Sequence, residues 1–228
     1  MLVVVASSYD AHAKSIVARW EAGGAAMLSA EDLCSPGWVM SVPRSCGCDR
    51  AVIEGKVVKS ADITGILTLR PAVFAPELEG IHADDRAYVA AELNAFLMEW
   101  LMARQCPILN RPSATCLAGP GWRSGQWIYR AARLGIPVRT LHARVPQVRQ
   151  ADRAEAMVEV TSVGQRCFGT TDGRLISWHL QLARAAGTGL LSTRFSASEG
   201  ELLSADSWPR LNDPQVLDAV DAYFRAPQ

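Results

Sequence analysis

Arg70, Asn110, Arg111 and Arg123 are the side chains best placed for recognition, because each stands where an apolar run or a glycine-rich loop ends. Arg70-Pro71 closes the run Ile63 to Leu69, Asn110-Arg111-Pro112 follows Pro107-Ile108-Leu109, and Arg123 follows Gly119-Pro120-Gly121-Trp122. Arginine presents a planar fork of donors that matches a carboxylate or a phosphate. The chemistry this predicts is binding of an acidic ligand. The competing use is ion pairing within the chain, since Asp85, Glu92 and Glu99 recur every seven residues and share one helix face. Paired acid catalysis by those carboxylates would require them to converge on a cleft, and a solvated face is the preferred reading.

The remaining reactive side chains are not spaced for chemistry. Cys46-Gly47-Cys48 places two thiols one residue apart, a pair able to share a soft metal. No second Cys or His pair completes the four ligands of a zinc site, so a plain loop is preferred. His12, His82, His142 and His179 are scattered, and a Cys-His arrangement could arise only through the fold. No Gly-Lys-Ser or Gly-Lys-Thr follows the glycines at 119 and 121, and Ser7-Ser8-Tyr9 lacks a Gly-x-Gly-x-x-Gly. No residue is assigned a catalytic role, and none a metal.

The elements that would position these side chains follow from hydrophobic period and from caps. Leu2 to Ala6 reads as a strand buried on both faces. Asp10 caps a helix bearing Ala13, Ile16, Val17 and Trp20, and Ala25 to Leu28 returns as a second parallel strand. Residues 29–62 are irregular, with a hairpin at Glu54-Gly55. After the strand Ile63 to Leu69 a long helix starts at Asp84 or Asp85. Its stripes Tyr88, Ala91, Ala95, Met98, Met102 and Val89, Leu93, Phe96, Trp100 predict a central packing element. A helix over Gln126 to Leu134 ends at Gly135, and residues 139–155 are polar and Arg-rich. Then come a strand over Met157 to Val163 with a tight turn into Arg166 to Phe168, a helix over Ser177 to Ala186, a hairpin of Leu190 to Phe195 with Glu201 to Ala205, and a last helix opened by Asp213-Pro214. Trp20, Trp100 and Trp127 are expected in the core; exposure of the loop residues Trp38, Trp122 and Trp208 would mark a partner surface.

With 228 residues, 49% of them hydrophobic, the chain can bury a sizeable core. The 23 basic residues balance 23 acidic ones, which argues against nucleic acid or an anionic membrane as partner. No run reaches the length of a membrane span, and the N-terminus is too short in apolar residues for a signal peptide. A cytoplasmic protein with reduced cysteines is the expectation.

The ordered segments SYDAHAKSIVARWEAGG, ADITGILTLRPAVF, AELNAFLMEWLMARQCPILNRPSA and GQWIYRAARLGIPV resemble the opening of RimK-like ATP-grasp ligases. The group they are most similar to is the peptide-modifying maturases, which join a carboxylate to an amine through an acyl-phosphate. The resemblance implies an α/β fold: a pre-ATP-grasp-like parallel-sheet domain over 1–138, a linker over 139–156 replacing the nucleotide-binding small lobe, and a reduced ATP-grasp C-terminal lobe over 157–228. Family members bind ATP through lysines and hold Mg with Asp, Glu and Asn. Here no Lys follows Lys59, and LLSTRFSASEGELLSADSWPRL, similar to the metal-holding hairpin, offers Thr193 or Arg194, Ser204 and Asp206. Carboxylate charge supplies most of the affinity for Mg. The expectation is therefore a non-catalytic homologue without ATP or Mg, binding a partner enzyme, a peptide or an acidic small molecule. The alternative is an ATP-dependent carboxylate–amine ligase, using ATP and Mg, completed by another subunit. Surface bared by a missing lobe predicts a homodimer or hetero-complex.

Overall fold

The computed structural model describes residues 1–41, 48–139 and 156–226. Cys46, and residues 140–155 of the expected linker, lie outside the described residues. The chain forms two compact units, Met1–Gly121 with Val220–Gln228, and Trp122–Ala219.

In chain order the first unit holds β1 (Leu2–Val5), α1 (Ala11–Trp20), β2 (Ala25–Leu28), α2 (Ala30–Leu33), β3 (Arg50–Ile53), β4 (Lys56–Lys59), β5 (Gly65–Thr68), α3 (Arg86–Met102) and β6 (Ile108–Leu109). Four strands make a parallel sheet in the order β2-β1-β5-β6. Val3, Val4 and Val5 are fully buried, which is why β1 is apolar at every position rather than at every second one. The Asp10 carboxylate accepts from the backbone N–H groups of His12 and Ala13 at 2.9 and 3.1 Å and starts α1 as its sequence predicts. β3 and β4 form the expected hairpin, with φ of 51° at Glu54 and 70° at Gly55. A non-glycine residue is held in the left-handed region there, and the Glu54 carboxylate accepts the edge-strand N–H of Met27 at 3.0 Å.

α3 is a central packing element, as its sequence predicts, but neither stripe is covered as a whole. Its buried residues are Ala90, Leu97, Trp100 and Leu101, and Val89, Leu93, Phe96 and Met98 pack partly buried against the same core. Tyr88 and Met102 are 68% and 58% exposed. The helix is apolar nearly all round, and periodicity could not say which side would be covered. Trp38 is no exposed loop residue: it meets Phe96 and Trp100 edge-on, with ring centroids 5.2 and 5.5 Å away.

The second unit holds α4 (Ser124–Arg133), β7 (Met157–Val163), β8 (Arg166–Phe168), α5 (Gly173–Ala186), β9 (Leu190–Ser196), β10 (Leu202–Asp206) and the first part of α6 (Pro214–Arg225). Its strands form an antiparallel sheet in the order β10-β9-β7-β8. Trp127, Ile128 and Ala131 of α4 join Val160, Leu182, Leu191, Phe195 and Leu202 in one core. The second compact unit accordingly starts at Trp122, just before α4. α5 starts at Gly173, earlier than expected, because the Asp172 carboxylate accepts from Arg174 and Leu175 N–H.

Cys48 is disulfide-bonded, which corrects the expectation that all six cysteines are reduced thiols. Cys34, Cys106, Cys116 and Cys167 are free. Among the described residues no helix is long and apolar enough to cross a membrane.

Two stability predictions follow from the cores. A Cβ on Gly65 would stand 2.5 Å from the Phe224 ring, so Gly65→Ala is expected to cost about 1–3 kcal/mol in urea unfolding, with part recovered in the double variant with Phe224→Leu. His179 is fully buried; its Nδ1 lies 2.7 Å from the Thr193 hydroxyl, and its Nε2 has no partner. Burial lowers its pKa to about 4, against 6.5 in the unfolded chain, so the unfolded state binds the proton first. Stability from this residue is complete above pH 6.5 and is lost as pH falls toward 4, by about 1.5 kcal/mol between 6.5 and 5. Urea unfolding across that window should show the loss in the native chain and not in His179→Leu.

Candidate functional site

The expected anion-binding residues fall in both units. Arg70, at the carboxyl end of β5, is 5% exposed and fully engaged. Its guanidinium donates to the carbonyls of Ala72 at 2.7 Å and Ala6 at 3.3 Å and to the Glu77 carboxylate at 2.8 Å. It pairs with Glu77, not with the acidic face of α3, and ties the ends of β1 and β5 to the turn at Ala75–Glu77. Asn110, at the corresponding end of β6, is 3% exposed with φ of 60°, a left-handed conformation that Asn tolerates. Arg111 is exposed and donates to the carbonyls of Arg104 and Cys106 at 3.3 and 3.5 Å. Arg123 belongs to the second unit, where it is exposed and precedes α4; its N–H donates to the Gln126 side chain at 2.9 Å.

The open face of the antiparallel sheet carries a second polar constellation. Direct cross-strand pairing sets Glu159 of β7 opposite Arg194 of β9 and Arg194 opposite Ser204 of β10; likewise Thr161 faces Ser192 and Ser192 faces Asp206. Residues two apart share a face, so these six form one patch. Arg194 Nε donates to Glu159 at 3.0 Å, the Ser192 hydroxyl donates to the same carboxylate at 2.9 Å, and Thr161 donates to Ser192 at 3.1 Å. Desolvation pushes the Asp206 carboxyl up from its usual range. Beside the patch is a cavity of about 270 Å³ bordered by Glu159, Thr161, Phe168, Arg210 and Asn212.

The choice between Thr193 and Arg194 is thereby decided. Thr193 is fully buried beside His179 on the covered face, and Arg194 occupies the open one. The residues present are a poor fit for Mg: a guanidinium stands at the centre of the patch and holds Glu159, Ser204 supplies a neutral oxygen, and Asp206 is the one further carboxylate. Among the described residues no cluster of three His, Cys, Asp or Glu could hold a metal. Burial pushes the thiols of Cys34, Cys106 and Cys167 up, which disfavours thiolate chemistry. Glu159 was missed in the sequence, although the alternation of Val158 and Val160 with Glu159 and Thr161 is its signal.

The chain thus joins a unit built on a parallel sheet to a unit built on an antiparallel sheet packed by helices. No protein-family model and no curated protein matches the sequence, but solved structures match over almost its full length. The macrocyclase MdnC from Microcystis aeruginosa MRC, bound with precursor peptide MdnA, superposes with a TM-score of 0.70 at 11% identity over 99% of both chains. The ATP-grasp ligase PsnB, complexed with a phosphomimetic variant of its minimal precursor, Mg and ADP, gives 0.68 at 13% identity over 98% of both chains. A Chryseobacterium gregarium RiPP-associated ATP-grasp ligase, in complex with ADP and a leader and core peptide, gives 0.62 at 9% identity over 100% of this chain and 97% of its own. The chain thus has the ATP-grasp fold, as the resemblance to RimK-like ligases implied.

The buried Arg70 pair yields a test of its structural role. Arg70→Met leaves the Glu77 carboxylate buried without its cation and is expected to cost about 3–5 kcal/mol in chemical denaturation. Arg70→Met with Glu77→Leu should recover most of that loss.

Proposed function

We propose that the chain acts in ATP-dependent peptide ligation, engaging a precursor peptide on an ATP-grasp scaffold, with the ligase activity completed by another subunit. The observation that carries this reading is the likeness, over nearly the whole chain, to a macrocyclase solved with its precursor peptide and to ATP-grasp ligases solved with a minimal precursor or with a leader and core peptide. In such a ligation ATP would activate a carboxylate as an acyl-phosphate, and an amine would displace the phosphate. Positive charge at the phosphates is essential to that chemistry. In this chain it would have to come from arginine, since no Lys follows Lys59, or from the completing subunit.

A second reading, in which the chain contributes binding alone, is favoured by the Glu159–Arg194 pair at the expected metal position. ADP release separates the two. The chain would be incubated with MgATP, an associated short peptide and the proteins encoded beside it. Under the ligation reading, peptide-dependent ADP release accompanies a mass loss of one water per bond formed in the peptide, and both require this chain. ADP release and peptide modification that proceed equally without the chain would overturn it. Stimulation by the chain with no MgATP binding of its own, measured by calorimetry, would select the accessory reading.

A further inference from the structure

α4 and the end of α5 carry a cationic surface that the site described above does not use. Arg130 and Arg133 are exposed on α4, Tyr129 between them and the helix start is 57% exposed, and Arg184 is exposed in the last turn of α5. Gln181 of α5 donates to the Leu134 carbonyl at 3.4 Å and brings the two helix ends together. Between them lies a cavity of about 330 Å³ lined by Tyr129, Arg130, Arg133, Leu134 and Ala185. The arginines are steadied by aromatic neighbours: the Arg130 guanidinium is 5.2 Å from the Trp122 ring, and Arg133 is 3.5 Å from the Tyr129 hydroxyl. In contrast, the ion pairs among the described residues of this unit engage Arg139, Arg174 and Arg194. Among the described residues no carboxylate pairs with Arg130, Arg133 or Arg184.

We propose that this surface docks an acidic peptide segment, with carboxylates on Arg130 and Arg133 and an aliphatic side chain against Leu134 and Ala185. Guanidinium forks bind carboxylates in two parallel hydrogen bonds, and the concave apolar floor asks for a side chain that a lone small anion lacks. The balanced charge of the chain argues against a broad field that would draw a membrane or nucleic acid to the same face. The inference rests on the reading of the chain as a peptide-engaging protein, and it assigns that engagement a place and a charge.

The test uses a fluorescein-labelled synthetic peptide of alternating Glu pairs and Leu, and a counterpart with Gln in place of Glu. Fluorescence anisotropy should show salt-sensitive binding of the Glu peptide to the full chain. Arg130→Glu with Arg133→Glu should weaken it at least about tenfold, while Lys56→Glu, in the first unit, leaves it unchanged; circular dichroism verifies that both variants are folded. Four outcomes would overturn the proposal: no binding of the Glu peptide, equal binding of the Gln peptide, unchanged affinity in the double variant, or Arg130- and Arg133-dependent binding to phosphatidylserine vesicles in place of the peptide. ADP release measured in parallel keeps the two readings apart, because its persistence beside a failed anisotropy result removes this surface and leaves the ligation reading standing.

Discussion

Successive side chains of a strand point to opposite faces of its sheet, and on β9 this constraint divides two adjacent residues with opposite tasks. Thr193 turns inward to His179 in a core that also holds Phe195 and Leu191, while Arg194 turns outward to Glu159. A one-residue slip of register would bury the guanidinium and expose the core residues, so the pairing of β9 with β7 and β10 is strongly specified. The same alternation puts Ser192, Ser204 and Asp206 on the open face and makes the patch a consequence of packing the closed one.

Charge is used differently in the two units. In the first, Arg70 and Arg104 are buried and paired, with Glu77 and Asp49 respectively, and each donates to backbone carbonyls as well. Such groups are costly to desolvate and hold the structure only while every partner remains in place. The Asp49 carboxyl is held below its usual range, first by the Ser41 backbone N–H and then by Arg104. In the second unit the arginines of α4 are exposed, with donors available to a ligand. Recognition of an acidic partner is therefore better served by Arg130 and Arg133 than by Arg70, whose guanidinium is spent on the ends of β1 and β5.

On the open face of the second unit's sheet a side chain of the chain itself supplies the positive charge. The Arg194 guanidinium donates to the Glu159 carboxylate, and the Ser204 hydroxyl beside it is neutral. This pair is the feature that sets the accessory reading against the ligation reading, which draws its support from the fold.

Much of the chain's local structure was legible in its residues. The uninterrupted apolar run of β1, the Asp10 cap, the Glu54-Gly55 turn, and the stop at Gly135 with φ of 75° each depend on short-range preferences that neighbouring residues express directly. The order of segments also carried the fold. What it left open were choices between equivalents: which side of the apolar α3 is covered, whether α4 packs with the strands before or after it, and which of Thr193 and Arg194 faces outward. Arg70, Asn110, Arg111 and Arg123 looked alike as residues at the ends of elements, yet Arg70 and Asn110 are buried and Arg111 and Arg123 exposed. Only the tertiary structure could separate them, because whether a guanidinium meets a ligand or a carboxylate of its own chain depends on partners many residues away, and local sequence carries no record of that distance.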